Sequence, residues 1–374
     1  MTRSRFAVPE PVAHGGDGAR VATALGIGVD QVLDLSASLN PVAPDPAVTV
    51  ARHLAALSRY PDPLRATVAL AERLDVDPSR LLLTNGGAEA IALVGAVVGG
   101  TVEEPDFSLY PRSRSGSSAV PVGSDPSGTY RHAPTEPEAA ELPLDPSLIV
   151  PAPSRRADAT RPSPNGVPAV IGSQDGAGLF DEPPRWRSNP HSPSGRLADP
   201  VEVAGVWDEA FWPLATASWT RNDHRRGSVV VGSLTKLLAC PGLRVGYLLA
   251  PETDDGDRLL AAVRLAQPAW SVDGLVCAAL PDLLDTVDLP SWTHEIARLR
   301  QELVDLLAAY GLRADAADAP WVLVPDAGDL RSRLAGEGVV VRDCGTFGLP
   351  GTVRIAVPDD DGRRRLGAAL ETVS

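Results

Sequence analysis

The chain has 374 residues, 34 basic and 48 acidic, with a formal net charge of −14. That length gives one large or two medium domains with room for a sizeable core, and the acidic balance excludes a nucleic-acid binder built on a basic face. No window approaches about 18 uncharged apolar residues, so no membrane span is expected, and the opening MTRSRFAVPEPVAHGG lacks the apolar stretch of a secretory signal.

In chain order, the N-terminal residues are Gly/Pro-rich. A helix is expected near Gly18–Leu25 and a short strand at Val32–Leu35. Pro63–Leu74 reads as an amphipathic helix. Leu81–Thr84 is a short apolar run that ends in Asn85-Gly86-Gly87 and leads into an apolar helix at Ala88–Val98. Strand, glycine turn and helix start together make half of a βαβ unit. From about Val122 to Trp186 the chain is rich in Pro, Ser, Gly, Asp and Ala, with strands expected at Leu148–Val150 and Ala169–Ile171. Val203–Trp207, Ser228–Val231 and Gly246–Ala250 are apolar runs of the kind buried in a parallel sheet.

After Pro251 the pattern changes. Arg258–Leu265, Val272–Leu284 and Trp292–Tyr310 are helical by apolar spacing. Strands at Trp321–Val324, Val339–Arg342 and Thr352–Ala356 then alternate with helices at Ala327–Ala335 and Asp361–Thr372. The fold class is therefore α/β. A large, mostly parallel sheet domain is expected at residues 41–260 and a smaller α+β domain at 261–374, with residues 1–40 forming an N-terminal arm and part of the small domain. Cys240, Cys277 and Cys344 are unclustered and without CxxC spacing, which fits reduced thiols of a cytoplasmic protein and calls for no metal.

Of the basic residues, one is lysine, Lys236, and the others are arginine. GC-rich coding accounts for the bias but not for the survivor. Arginine replaces lysine on a solvated surface, but not where an amine must lose its proton and attack a carbonyl. Ser233-Leu234-Thr235-Lys236 is a bare SxxK, but the second lysine of a KTG element is absent, which removes the serine acyl-enzyme reading. Thr235 precedes Lys236, so no GK[ST] phosphate loop exists, and no GxGxxG turn is in register.

Schiff-base chemistry with pyridoxal phosphate remains, and each need of that cofactor has a candidate. Asp208 follows a strand and could hold the ring nitrogen protonated. Gly86, Gly87 and Ala88 start a helix, where backbone amides can meet a phosphate. Ser233 and Arg244 flank Lys236, Phe107 or Tyr110 offers an aromatic face, and Asn189 offers a donor for the ring hydroxyl. Taken singly, Asp208 could be a helix cap, Gly86-Gly87 a plain turn and Arg244 an ordinary ion-pair partner.

The segments TNGGAEAI, SNPHSPSG, WDEAF and SLTKLLACPGLRVGY together resemble the fold-type-I pyridoxal-phosphate enzymes of the class I/II aminotransferase superfamily. His14-Gly15-Gly16, DLSASLNPVAP, Arg59-Tyr60-Pro61-Asp62-Pro63 and VRDCGTFGL resemble its branch of threonine-phosphate decarboxylases and histidinol-phosphate aminotransferases. The resemblance implies a PLP-dependent transferase-like fold with Lys236 carrying the cofactor's aldehyde and Asp208 on its ring nitrogen. Asn189 would meet the ring hydroxyl, and Phe107 (with Tyr110 as second choice) would cover the ring. Gly87, Ala88, Ser233 and Arg244 would hold the phosphate. Tyr60 would reach the phosphate of the other subunit in a homodimer. Arg354, with Arg342, His14 and Ser38, would contact a small amino-acid substrate.

The implied activity is that of a threonine-phosphate decarboxylase in cobamide side-chain synthesis. The alternatives are an aminotransferase on an amino acid or histidinol phosphate, and a non-catalytic binding module. Three departures stand out. Phe211 replaces a tyrosine, and Asp17 and Ser38 stand where the decarboxylases carry asparagines. Both of the latter are expected near a substrate phosphate, which a carboxylate would repel.

Overall fold

A computed structural model of the chain describes residues 8–12, 14–112 and 182–373; the strands expected at 148–150 and 169–171 lie outside them. Helix α1 (Gly18–Leu25) buries Val21 and Ala22 and ends at Gly26, whose φ of 66° suits a residue without a Cβ. Then follow β1 (Leu33–Asp34), α2 (Pro46–Val50), α3 (Leu64–Leu74), β2 (Leu81–Asn85), α4 (Gly86–Val98) and β3 (Thr101–Val102). Beyond the undescribed residues come β4 (Arg185–Ser188), β5 (Val206–Asp208), α5 (Trp212–Thr216), β6 (Val229–Ser233), α6 (Leu234–Leu237) and β7 (Val245–Leu249).

Three helices with side-chain N-caps come next: α7 (Asp254–Ala266), α8 (Gly274–Leu284) and α9 (Leu289–Ala309), capped by Thr253, Asp273 and Asp288. The chain closes with β8 (Asp315–Ala316), β9 (Trp321–Val324), α10 (Leu330–Gly336), β10 (Val339–Val340), β11 (Arg342–Asp343), β12 (Val353–Ala356) and α11 (Asp360–Val373).

The main sheet has six strands in the order β2-β7-β6-β5-β4-β3. Its β3-β4, β4-β5 and β5-β6 pairs are parallel, and β7 runs against both of its neighbours, so the sheet is mostly parallel as expected. The Val-Val-Val run of β6 shows why. Val229 and Val231 pack with α4 and α7 on one face, and Val230 packs with α3 and α8 on the other. A strand covered on both sides has no use for polar alternation. A four-stranded antiparallel sheet, β11-β12-β9-β8, and a parallel pair, β1-β10, carry the C-terminal part.

Several boundaries differ from expectation. The strand expected at Val203–Trp207 begins only at Val206, because Val203 is 77% exposed and has nothing to pack against. The single strand expected at Val339–Arg342 is two: Val339 and Val340 pair with β1, while Arg342 and Asp343 pair with β12. The unpredicted β4 reads Arg-Trp-Arg-Ser; its apolar signal is one residue, the fully buried Trp186.

The ends of β2, β4, β5 and β6 deliver Asn85, Ser188, Asp208 and Ser233 to the carboxyl edge of the main sheet, where α/β folds build their sites.

Candidate active site

A cavity of about 300 Å³ opens at that edge. Lys236, Asp208, Gly87, Ala88, Phe107, Ser233 and Arg244 line it, and so do His14, Arg342 and Arg354. These residues singled out from sequence, with Tyr110 and Phe211, are brought together; Asn189, Tyr60 and Ser38 are not among the lining residues.

Lys236 sits in the short helix α6, and its Nζ donates to the Ala37 carbonyl at 2.9 Å. Burial first, then the guanidiniums of Arg354, Arg244 and Arg342, bring its pKa down to about 8, against the opposing pull of Asp34. A larger share of this amine is therefore neutral near physiological pH than of an exposed lysine.

Asp208 closes β5. Its Oδ1 accepts the Ala210 amide at 2.9 Å and its Oδ2 accepts the Tyr110 hydroxyl at 2.8 Å. Burial raises its pKa to about 6, even though both hydrogen bonds work the other way. A carboxylate placed so has much to gain from a cationic partner.

The start of α4 is built for close approach. Gly86 has φ of 72°, and a Cβ there would lie 2.5 Å from Arg244 Nη2. A Cβ on Gly246 of β7 would lie 2.4 Å from the Gly86 carbonyl carbon. Arg244 itself holds a left-handed backbone, φ 52°, which brings its guanidinium over Gly86. Ser233 Oγ lies 2.8 Å from Thr235 Oγ1, at the cavity wall. Amides at a 13-residue helix start, hydroxyls and a guanidinium are the groups a phosphate cradle needs.

Asn189 is 1% exposed; its Oδ1 accepts the Ala198 amide at 3.0 Å and its Nδ2 has no partner among the described residues. Its neighbours Ser188 and Pro190 line the cavity. An orphaned buried donor beside the wall is a donor awaiting an acceptor. Amine, carboxylate, orphan donor and phosphate cradle are the parts pyridoxal phosphate requires, and the residues present fit it.

Arg342 and Arg354 are directly opposite each other on β11 and β12. Both are buried and lie against Phe347, with ring-centroid distances of 4.6 and 5.9 Å. Burial, then Arg342, lowers the Arg354 guanidinium to about 9. Among the described residues no carboxylate pairs with Arg354. Two cations side by side, one without a counter-charge, mark an anion site.

Residues 187–370 match the family model "Aminotransferase class I and II". The chain is 25% identical to histidinol-phosphate aminotransferase 1 of Dechloromonas aromatica, over 94% of this chain and 92% of the relative. It is 29% identical to the threonine-phosphate decarboxylase of Salmonella typhimurium, over 96% of each. Over residues 187–370 the chain is similar to the class I and II aminotransferases. The fold agrees: histidinol-phosphate aminotransferase from Sinorhizobium meliloti, solved in complex with pyridoxal-5'-phosphate, matches with a TM-score of 0.60 at 16% identity, over 90% of this chain and 89% of that one.

Two expectations from the sequence need correction. Asp17 does not line the cavity: it is 4% exposed and pairs with Arg331 of α10 at 3.0 Å, and Arg331 also donates to the Pro9 carbonyl. Its carboxylate fastens the N-terminal arm, and its charge also acts on Arg342. Ser38 is fully buried, and its hydroxyl has no partner among the described residues. Tyr60 is 79% exposed and stacks on Trp270 with centroids 4.6 Å apart. Phe211 lines the cavity and packs edge-on against Trp321.

Two contributors escaped the sequence reading. Ser188 adjoins Asn189 within SNPHSPSG, and Phe347 lies in VRDCGTFGL. Both stood inside the segments that carry the resemblance, but nothing in a sequence tells which residue of a turn faces inward.

Proposed function

We propose that this protein is a pyridoxal-phosphate enzyme that removes carbon dioxide from a small amino acid bearing a second acidic group, in the manner of threonine-phosphate decarboxylase. The observation that carries the reading is the cross-strand pair Arg342–Arg354, facing the same cavity as Lys236. One guanidinium suffices for one carboxylate; two adjacent ones suit a substrate with two anionic groups.

Bound in this cavity, the cofactor supplies an aldehyde for amines and a ring that draws electrons from the substrate's α-carbon. Lys236 would hold the cofactor, and its Nζ could deliver a proton to the substrate's α-carbon. Asp208 would keep a proton at the ring nitrogen. Gly87, Ala88, Ser233 and Arg244 would hold the phosphate, and Asn189 Nδ2 would donate to the ring hydroxyl. Phe107, Phe211 and Phe347 keep water from the reacting atoms.

The histidinol-phosphate aminotransferase relatives favour a second reading, transamination of an amino acid or histidinol phosphate. Incubation with phosphothreonine, and separately with amino donors plus 2-oxoglutarate, separates the two. Carbon dioxide release without keto-acid turnover supports decarboxylation, and with it a place in cobamide side-chain synthesis; the reverse result overturns it. The exposed Tyr60–Trp270 pair, with Leu57 and Leu64 exposed in sequence nearby, supports a homodimer in which Tyr60 serves the other subunit's phosphate. The three buried free cysteines fit a cytoplasmic location.

A further inference from the structure

Asp208 does not meet the cavity alone. Tyr110 stands between it and a second buried carboxyl, Asp106, which is 2% exposed. The Tyr110 hydroxyl donates to Asp208 Oδ2 at 2.8 Å and lies within reach of the Ser188 hydroxyl. Ser188 Oγ donates in turn to Asp106 Oδ1 at 2.5 Å, and its amide donates to Asp106 Oδ2 at 3.1 Å. Arg187 lies 3.7 Å from Asp106. The phenol ring has little freedom: it stacks on Trp186 with centroids 5.4 Å apart and meets the edge of Phe107 at 5.6 Å.

We propose that Tyr110 is a positioning residue for Asp208: its hydroxyl, carried on a ring fixed between Trp186 and Phe107, keeps the carboxylate anionic and aimed into the cavity. The inference rests on the reading of Asp208 as the partner of the cofactor's ring nitrogen.

The physical reason is a competition. Proton sharing between a ring nitrogen and a carboxylate follows their relative basicity. Burial makes Asp208 a stronger base, and so does the like charge of Asp106; the hydroxyl makes it a weaker one. Tyr247, which also interacts with Asp208, is itself buried and kept protonated. Without the Tyr110 hydroxyl, Asp208 would draw the proton off the ring nitrogen and weaken the electron sink it is there to sustain. Phe107 covers the same cavity without a hydroxyl and cannot substitute.

The test needs no cofactor and no turnover. In cofactor-free protein labelled with carboxyl-13C aspartate, the Asp208 signal is identified by its loss in Asp208→Asn and titrated. Tyr110→Phe keeps the ring and its stacking, and should raise the Asp208 midpoint by about one to two pH units. Replacing tyrosine by a fluorotyrosine, a stronger donor, should lower that midpoint in the otherwise unchanged chain. The second arm decides the matter if the phenylalanine variant fails to fold. An unchanged midpoint in whichever variants fold overturns the proposal. A chain that never binds pyridoxal phosphate would overturn the cofactor reading and leave this result standing.

Discussion

Lys236 and Glu209 show how burial sets chemistry one side chain at a time. With its pKa at about 8, the neutral fraction of the Lys236 amine rises nearly tenfold per pH unit below pH 8 and levels off above it. Stopped-flow absorbance during loading of cofactor-free protein should follow that profile. Lys236→Arg should leave the protein colourless, because a guanidinium does not lose its proton to attack an aldehyde. Glu209, next to Asp208, is 1% exposed and accepts the Arg221 amide at 3.2 Å. Burial lifts its pKa from 4.5 to about 8. The folded state therefore binds the proton more tightly than the unfolded chain. This contribution to stability is full below pH 4.5 and is lost as pH rises through about 8. Glu209→Gln should flatten the melting temperature between pH 5 and 9 and raise it by about 3–6 °C at pH 9, read by calorimetry. Lys236 could be found by counting, since one amine among so many arginines has to be explained. Glu209 and Tyr110 could not, because their importance lies in burial and in the direction of a side chain, neither of which residue type or spacing encodes.

At the scale of elements, strands covered on both faces announced themselves. The Val229–Val231 run and Val245–Leu249 read as strands because unbroken apolar residues have no other stable home. The strand at Arg185–Ser188 was hidden because its charged residues face partners rather than water: Arg185 and Arg187 both pair with Glu202. The division at Val341 was hidden because strand propensity says nothing about which sheet a residue joins. The phosphate cradle is an arrangement of elements as well, since β7 can touch the start of α4 only where both backbones are bare. Gly246→Ala would drive a methyl against the Gly86 backbone. It should cost about 2–3 kcal/mol of stability by denaturant unfolding. Cofactor affinity should fall at least tenfold in a fluorescence titration. Gly242→Ala, with open space around it, should do neither.

At the scale of the molecule, the exposed Tyr60 and Trp270 are the natural place to test assembly. A double change to alanine should shift the protein towards monomer in analytical ultracentrifugation and hasten cofactor loss, while the single-chain fold persists. The stitching of the chain has another consequence. Gly16 donates to Ser36 Oγ at 2.8 Å, Leu35 donates to Val340 and accepts from Ala356, and Val340 runs directly into the strand of Arg342. The lip of the cavity that carries His14 is thereby sewn to the lip that carries the paired guanidiniums, across more than three hundred residues of sequence. A chain trimmed of that arm should therefore lose grip on an anion at Arg342 as well as cover over the cavity, read by titration with inorganic phosphate.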